Sequence, residues 1–157
     1  MDLNKAEDLC RGLMNKHGLS HWQFQYDNSV KRFGICKYNI YNQSGVIGLS
    51  RKLVSINDEE QVRDTILHEI AHALTRGHGH DSVWKAKCVE IGAKPERCYS
   101  SKDTNVVEAR YQAICRGCGR KHQKTRMKHK EAKRSCKCQS HKGWDEKILL
   151  NFIDTKK

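Results

Sequence analysis

The sequence predicts an α+β chain: helices packed on a small antiparallel sheet, with a β appendage built around cysteines. Three observations carry this. Two stretches repeat apolar residues at helical spacing, several short stretches alternate like strands, and close cysteine pairs gather near the C-terminus. The expected division is a core over 1–105 and a basic cysteine-bearing segment over 106–157.

The elements follow in order. Leu3, Ala6, Leu9, Leu13 and Met14 recur at helical spacing before Gly18, which predicts a helix over 3–17. Trp22, Phe24 and Tyr26 alternate with polar residues as a half-buried strand does, and Asp27-Asn28-Ser29 marks a turn. Arg32–Tyr38 and Val46–Ser50 read as two more strands. Asn57-Asp58-Glu59-Glu60 supplies a cap and first-turn acids for a helix from Asp58 to Thr75. Its core stripe is Val62, Ile66, Ile70, Ala73 and Leu74. Gly77 and Gly79 break it. A further helix runs from Asp81 to Ile91, with Trp84, Cys88 and Ile91 on one face and Gly92 as its stop. Val106–Ile114 reads as a strand leading into Cys115, and Ile148–Ile153 as a last one.

Composition narrows the function. The 157 residues carry 30 Lys/Arg against 18 Asp/Glu, a net +12. Mean hydropathy is -0.82, and no apolar run approaches the roughly 18 residues of a membrane span. Met1–Lys16 lacks the apolar core and cleavage site of a signal peptide, so a cytoplasmic protein with no membrane partner is expected. In that setting cysteines are read as metal ligands or buried thiols rather than disulfides, and Asn42-Gln43-Ser44 is no glycosylation site. Between Cys115 and Lys142 stand eleven Lys/Arg and one acid, Glu131, a net +10. Such asymmetry points to a polyanion-binding segment on an otherwise ordinary domain.

His68-Glu69-Ile70-Ala71-His72 is an HExxH string inside a helix. Four residues is just over one turn, so both imidazoles lie on one face. Zinc takes imidazole nitrogen, and a catalytic site combines three protein ligands with a water. Glu69 stands beside the pair, placed to take a proton from that water. Three residues are candidates for the third ligand: His80 after the two glycines, then His78, then Glu90 at a longer spacing.

Cys115-Arg116-Gly117-Cys118 is a CxxC knuckle, followed after seventeen residues by Cys136-Lys137-Cys138. Two pairs at this separation read as a structural zinc site. The second pair is CxC, so Cys138, His141 in its place, or a ribbon without metal are the alternatives. Cys10, Cys36, Cys88 and Cys98 lack such spacing and are read as small buried thiols. Arg120, Lys121, Lys124, Arg126, Lys128, Lys130, Lys133 and Arg134 would contact phosphates. Only Tyr111 and Trp144 flank the segment as aromatics, so nonspecific, salt-sensitive nucleic-acid binding is expected.

The string from His68 to Leu74, with His80-Asp81-Ser82-Val83-Trp84, resembles the SprT-like zinc metallopeptidases. That family reads HExxHA, then His, usually Gly, two residues and an aromatic. Asp81 stands where Gly is usual, and Trp84 is the aromatic. The resemblance extends over about residues 3–153, favours His80 as third ligand, and implies a zincin-like core with a zinc ribbon that usually carries CxxC twice. Eukaryotic members are DNA-dependent proteases acting on DNA-crosslinked proteins; this chain looks more like the compact bacterial and phage members. The expected function is a zinc endopeptidase that binds nucleic acid, DNA in the first place and without sequence specificity, and cleaves DNA-associated or DNA-crosslinked proteins. The alternatives are a non-catalytic nucleic-acid-binding regulator and a zinc hydrolase of non-peptide substrates.

Overall fold

The computed structural model describes every residue except 40, 42, 98–103, 128–133, 140–148 and 157. The chain divides into two compact units, Met1–Val107 and Glu108–Lys157.

Among the described residues, the first unit packs four helices and a three-stranded sheet. Helix α1 (Leu3–Lys16) opens on Asp2, whose Oδ1 accepts from the N–H groups of Asn4 and Lys5 at 2.9 and 3.1 Å. It buries Ala6, Cys10, Leu13 and Met14. Strands β1 (Gln23–Asp27), β2 (Gly34–Tyr38) and β3 (Gly45–Ser50) lie in the order β1-β3-β2. The β2–β3 pairing is antiparallel, as expected, but β1 joins parallel to β3. The reason is connectivity: β3 is the apolar central strand, and the chain passes from β1 to the far edge before returning through a hairpin. Gly45 begins β3 hard against Trp22, where a Cβ would lie 2.3 Å from the indole. Tyr26 donates its hydroxyl to Leu3 O at 2.6 Å and ties β1 to α1.

Helix α2 (Arg51–Ile56) is an element the periodicity does not reveal, because six residues give less than two turns of pattern. Its signal is local: Ser50 Oγ accepts from Leu53 N–H at 3.2 Å, capping a turn that buries Leu53 and Val54. Helix α3 (Glu59–Leu74) is capped by Asp58, whose Oδ1 accepts from Gln61 N–H at 2.9 Å. Asn57 instead turns inward and bonds Leu53 O and Asn105 O. Val62, Ile66, Ile70 and Ala73 are buried as expected, and Leu67 joins them. Leu74 departs from the expected stripe: it is 37% exposed, because the helix ends there and its side chain leaves the core. Helix α4 (Ser82–Ile91) is capped by Asp81 and ends at Gly92, φ +82°. No described helix is long and apolar enough to cross a membrane.

Among the described residues, the second unit holds a three-stranded antiparallel sheet, β4 (Tyr111–Ile114), β5 (Lys121–Lys124) and β6 (Ile153–Asp154), in the order β5-β4-β6. The expected strand over Val106–Ile114 shrinks to its last four residues. β5 forms within the basic stretch, where Lys121-His122-Gln123-Lys124 has no apolar alternation to betray it. The Cys115–Cys118 knuckle is the turn joining β4 to β5. Of the last expected strand, Leu149 forms a bridge with Ser135 and Ile153 begins β6, while Ile148 lies outside the described residues.

Candidate metal centre

Helix α3 presents His68 and His72 one turn apart, with ring centroids 5.0 Å from each other. The chain then turns back. Gly77 takes φ +87°, a conformation that costs glycine least, and its N–H bonds Tyr38 Oη at 3.0 Å. That turn delivers His80 to the same place: His80 Nε2 lies 3.1 Å from His72 Nε2 and 3.3 Å from His68 Nε2. The other two candidates point elsewhere. His78 Nδ1 meets Asp81 Oδ2 at 2.8 Å, and Glu90 pairs with Lys87 at 2.6 Å.

Burial pushes the His68 ring down to about 4, helped by its neighbours His72 and His80. Burial and His80 push His72 to about 4 as well. His80 is lowered by burial and by the nearby Arg97. Each of these shifts favours the neutral ring, the form whose lone pair a cation can take. Glu69 is 7% exposed, and desolvation raises its carboxyl to about 7. The Cys36 N–H, which bonds it, and Arg32 both oppose that rise. These groups lie along a cleft of about 640 Å³ walled by α3 on one side and β2 on the other.

Sequence reasoning missed what β2 does here. A Cβ on Gly34 would stand 2.6 Å from Glu69 Oε1 and 2.9 Å from Thr65 Cγ2, so only glycine lets the strand approach this closely. The available signal was an isolated glycine in a strand pattern, which marks close backbone approach. β2 is also an edge strand. Ser50 N–H bonds Phe33 O, and Asn39 N–H bonds Ser44 O, at 2.8 and 2.9 Å. Odd-numbered residues of β2 thus face β3, and Gly34, Cys36 and Tyr38 direct their backbone groups outward along the cleft.

The second unit brings together Cys115, Cys118, Cys136 and Cys138, all with their sulfurs within 4.8 Å of one another. Cys115 and Cys138 are 3.8 Å apart, Cys118 and Cys136 3.7 Å. A 3-10 turn over Lys137–Gln139 lets the CxC pair reach. Gly119, φ +70°, takes the left-handed conformation just after the knuckle. The N–H of Arg120 pushes the Cys118 thiol down to about 7. Cys10 and Cys88 are buried in the core, whereas Cys36 lines the cleft. His141, Cys98 and Trp144 lie outside the described residues.

Of the basic residues singled out, Arg120, Lys121 and Arg126 are exposed. Lys124 is half-buried with its Nζ 5.3 Å from the Phe152 ring, and Arg134 is half-buried with its Nε unpaired among the described residues. Lys128, Lys130 and Lys133 lie outside the described residues.

Residues 7–110 match the SprT-like family. No curated protein matches the chain. Among solved structures, the metallopeptidase zymogen of Pyrococcus abyssi abylysin is similar at 21% identity, over 55% of this chain and 77% of that one, with a TM-score of 0.41.

Proposed function

The chain belongs to the SprT-like family, and from that premise we propose that it is a zinc-dependent endopeptidase. The observation that carries this is the convergence of three imidazoles in a cleft that also holds a buried glutamate. Tetrahedral nitrogen ligands about 2.0–2.1 Å from one Zn²⁺ lie about 3.3–3.4 Å apart. The Nε2 separations of 3.1 and 3.3 Å fit that spacing. His68, His72 and His80 would hold the ion. Four thiolates about 2.3 Å from Zn²⁺ lie about 3.8 Å apart, which the sulfur separations of 3.7 and 3.8 Å likewise fit. Cys115, Cys118, Cys136 and Cys138 would hold a second, structural ion.

A bound Zn²⁺ would polarise the scissile carbonyl and lower the pKa of water to about 7. Glu69 does the proton work: it takes a proton from the attacking water as oxygen adds to the carbonyl carbon, then gives it to the leaving amine as the C–N bond breaks. The outward backbone groups of β2 receive the substrate as an added strand.

The second unit supplies recruitment. Arg120, Lys121 and Arg126 would contact phosphates, with Lys128, Lys130 and Lys133 extending the same charged stretch, and the natural substrates would be DNA-associated or DNA-crosslinked proteins. The experiment is histone cleavage with and without DNA, with chelator and Glu69→Gln controls. Cleavage that needs metal, Glu69 and DNA supports the whole reading. Cleavage indifferent to DNA removes DNA activation, and firm DNA binding with no cleavage under any condition overturns the protease.

A further inference from the structure

Imidazoles that hold a metal usually have their second nitrogen fixed by a carboxylate or carbonyl, and that partner sets the ring's orientation. Among the described residues, the polar contacts of His68, His72 and His80 run between their own Nε2 atoms. What packs against all three rings is a single indole. The Trp84 ring lies 4.7 Å from His68, 5.1 Å from His72 and 4.6 Å from His80, centroid to centroid. It stacks on His72 at 26° and meets the other two edge to face.

Trp84 is 0% exposed, and its backbone N–H bonds Asp81 Oδ1 at 3.0 Å, which fixes its place in the first turn of α4. Its Nε1–H is buried with no partner among the described residues. An unpaired buried donor is costly. The position therefore gains nothing from the indole's hydrogen-bonding group, and what remains is the shape of the ring.

We propose that Trp84 is the positioning residue of the histidine metal centre, its ring holding the three imidazoles converged where polar partners usually do so. This rests on the zinc reading above. The test uses the full chain, as wild type, Trp84→Phe and Trp84→Leu, with Trp84→Met where the leucine variant does not fold. Metal affinity is measured by chelator competition, and site geometry by the visible spectrum of the Co²⁺-loaded protein. The cysteine cluster is the internal reference, because its thiolate-to-cobalt band reports that site alone.

Trp84→Leu should weaken binding at the histidines about 10- to 100-fold, the usual cost of losing a ligand's support. It should also change the histidine-site cobalt spectrum and leave the thiolate band as in wild type. Trp84→Phe, which keeps a ring against the imidazoles, should recover most of the affinity. Wild-type affinity and an unchanged spectrum in the leucine variant overturn the proposal, as does equal loss at both sites, which is what general unfolding produces. A wild type that takes up no metal at the histidines overturns the zinc reading along with this one.

Discussion

Glu69 follows His68 on α3 and is buried in the cleft that His68, His72 and His80 also line, and in the proposed mechanism it is the base. Glu69→Gln keeps the shape and removes the base, so cleavage should fall about 10²- to 10⁴-fold while zinc content holds. Kinetics and metal analysis on the same preparation check it. Gly34→Ala should act through the same carboxylate. Its new methyl would stand 2.6 Å from Oε1, so Glu69 must move, and activity should fall together with about 1–3 kcal/mol of stability. An alanine variant with wild-type activity and urea midpoint would mean that the contact relaxes without effect. The pH dependence of the chelator-stripped protein has two opposing parts. His68 and His72 drop from 6.5 to about 4, so the unfolded chain binds more protons in that window. Their contribution is complete above pH 6.5 and is lost as pH falls toward 4. Glu69 rises from 4.5 to about 7, so its contribution is present below 4.5 and is lost as pH rises through 7. The Tm gap between Glu69→Gln and wild type should therefore widen in the variant's favour from pH 4.5 to 7; a constant gap would contradict the desolvation of this group. At this scale the histidines were legible because spacing on a helix fixes their face. Gly34 and the Cys36 N–H were not, because which strand lies over which helix face is a tertiary fact.

Elements were legible where pattern and punctuation agreed. Asp58 and Asp81 cap α3 and α4 within a residue of expectation, and Gly92 ends α4 in the left-handed conformation that its position called for. Asp58→Ala removes the cap that accepts from Gln61 N–H and should cost about 1 kcal/mol in urea unfolding, the ordinary worth of a cap. What escaped was short or uniformly polar. Helix α2 is too brief for periodicity, and β5 exposes Lys121 and Gln123 without an apolar partner face. The parallel pairing of β1 with β3 escaped for another reason: alternation tells which side a residue faces but not the direction of the neighbouring strand.

At the scale of the molecule, each unit carries its own ligand cluster. The full chain should bind about two zinc ions, and Cys115→Ser should lose one of them while the histidine site keeps its own. Metal analysis of that variant decides whether the ribbon is a metal site; its DNA affinity should also weaken, with a shallower salt dependence if the phosphate contacts go with it. The charge asymmetry that sets the second unit apart and the pairing of four cysteines were both readable in the sequence; whether Cys138 joins the other three was left open by the CxC spacing, and it does so through the 3-10 turn at Lys137–Gln139. The edge of β2 has a consequence for how substrates are held. A peptide docked as proposed would form a ladder along Gly34, Cys36 and Tyr38, yet the middle donor already serves Glu69. The incoming carbonyl at that rung either goes without a partner or competes with the base for its anchor. Grip on the resting substrate and readiness of the base thus draw on one N–H group. Short peptides should accordingly saturate this cleft poorly, and a substrate brought close by some other attachment would gain most from it.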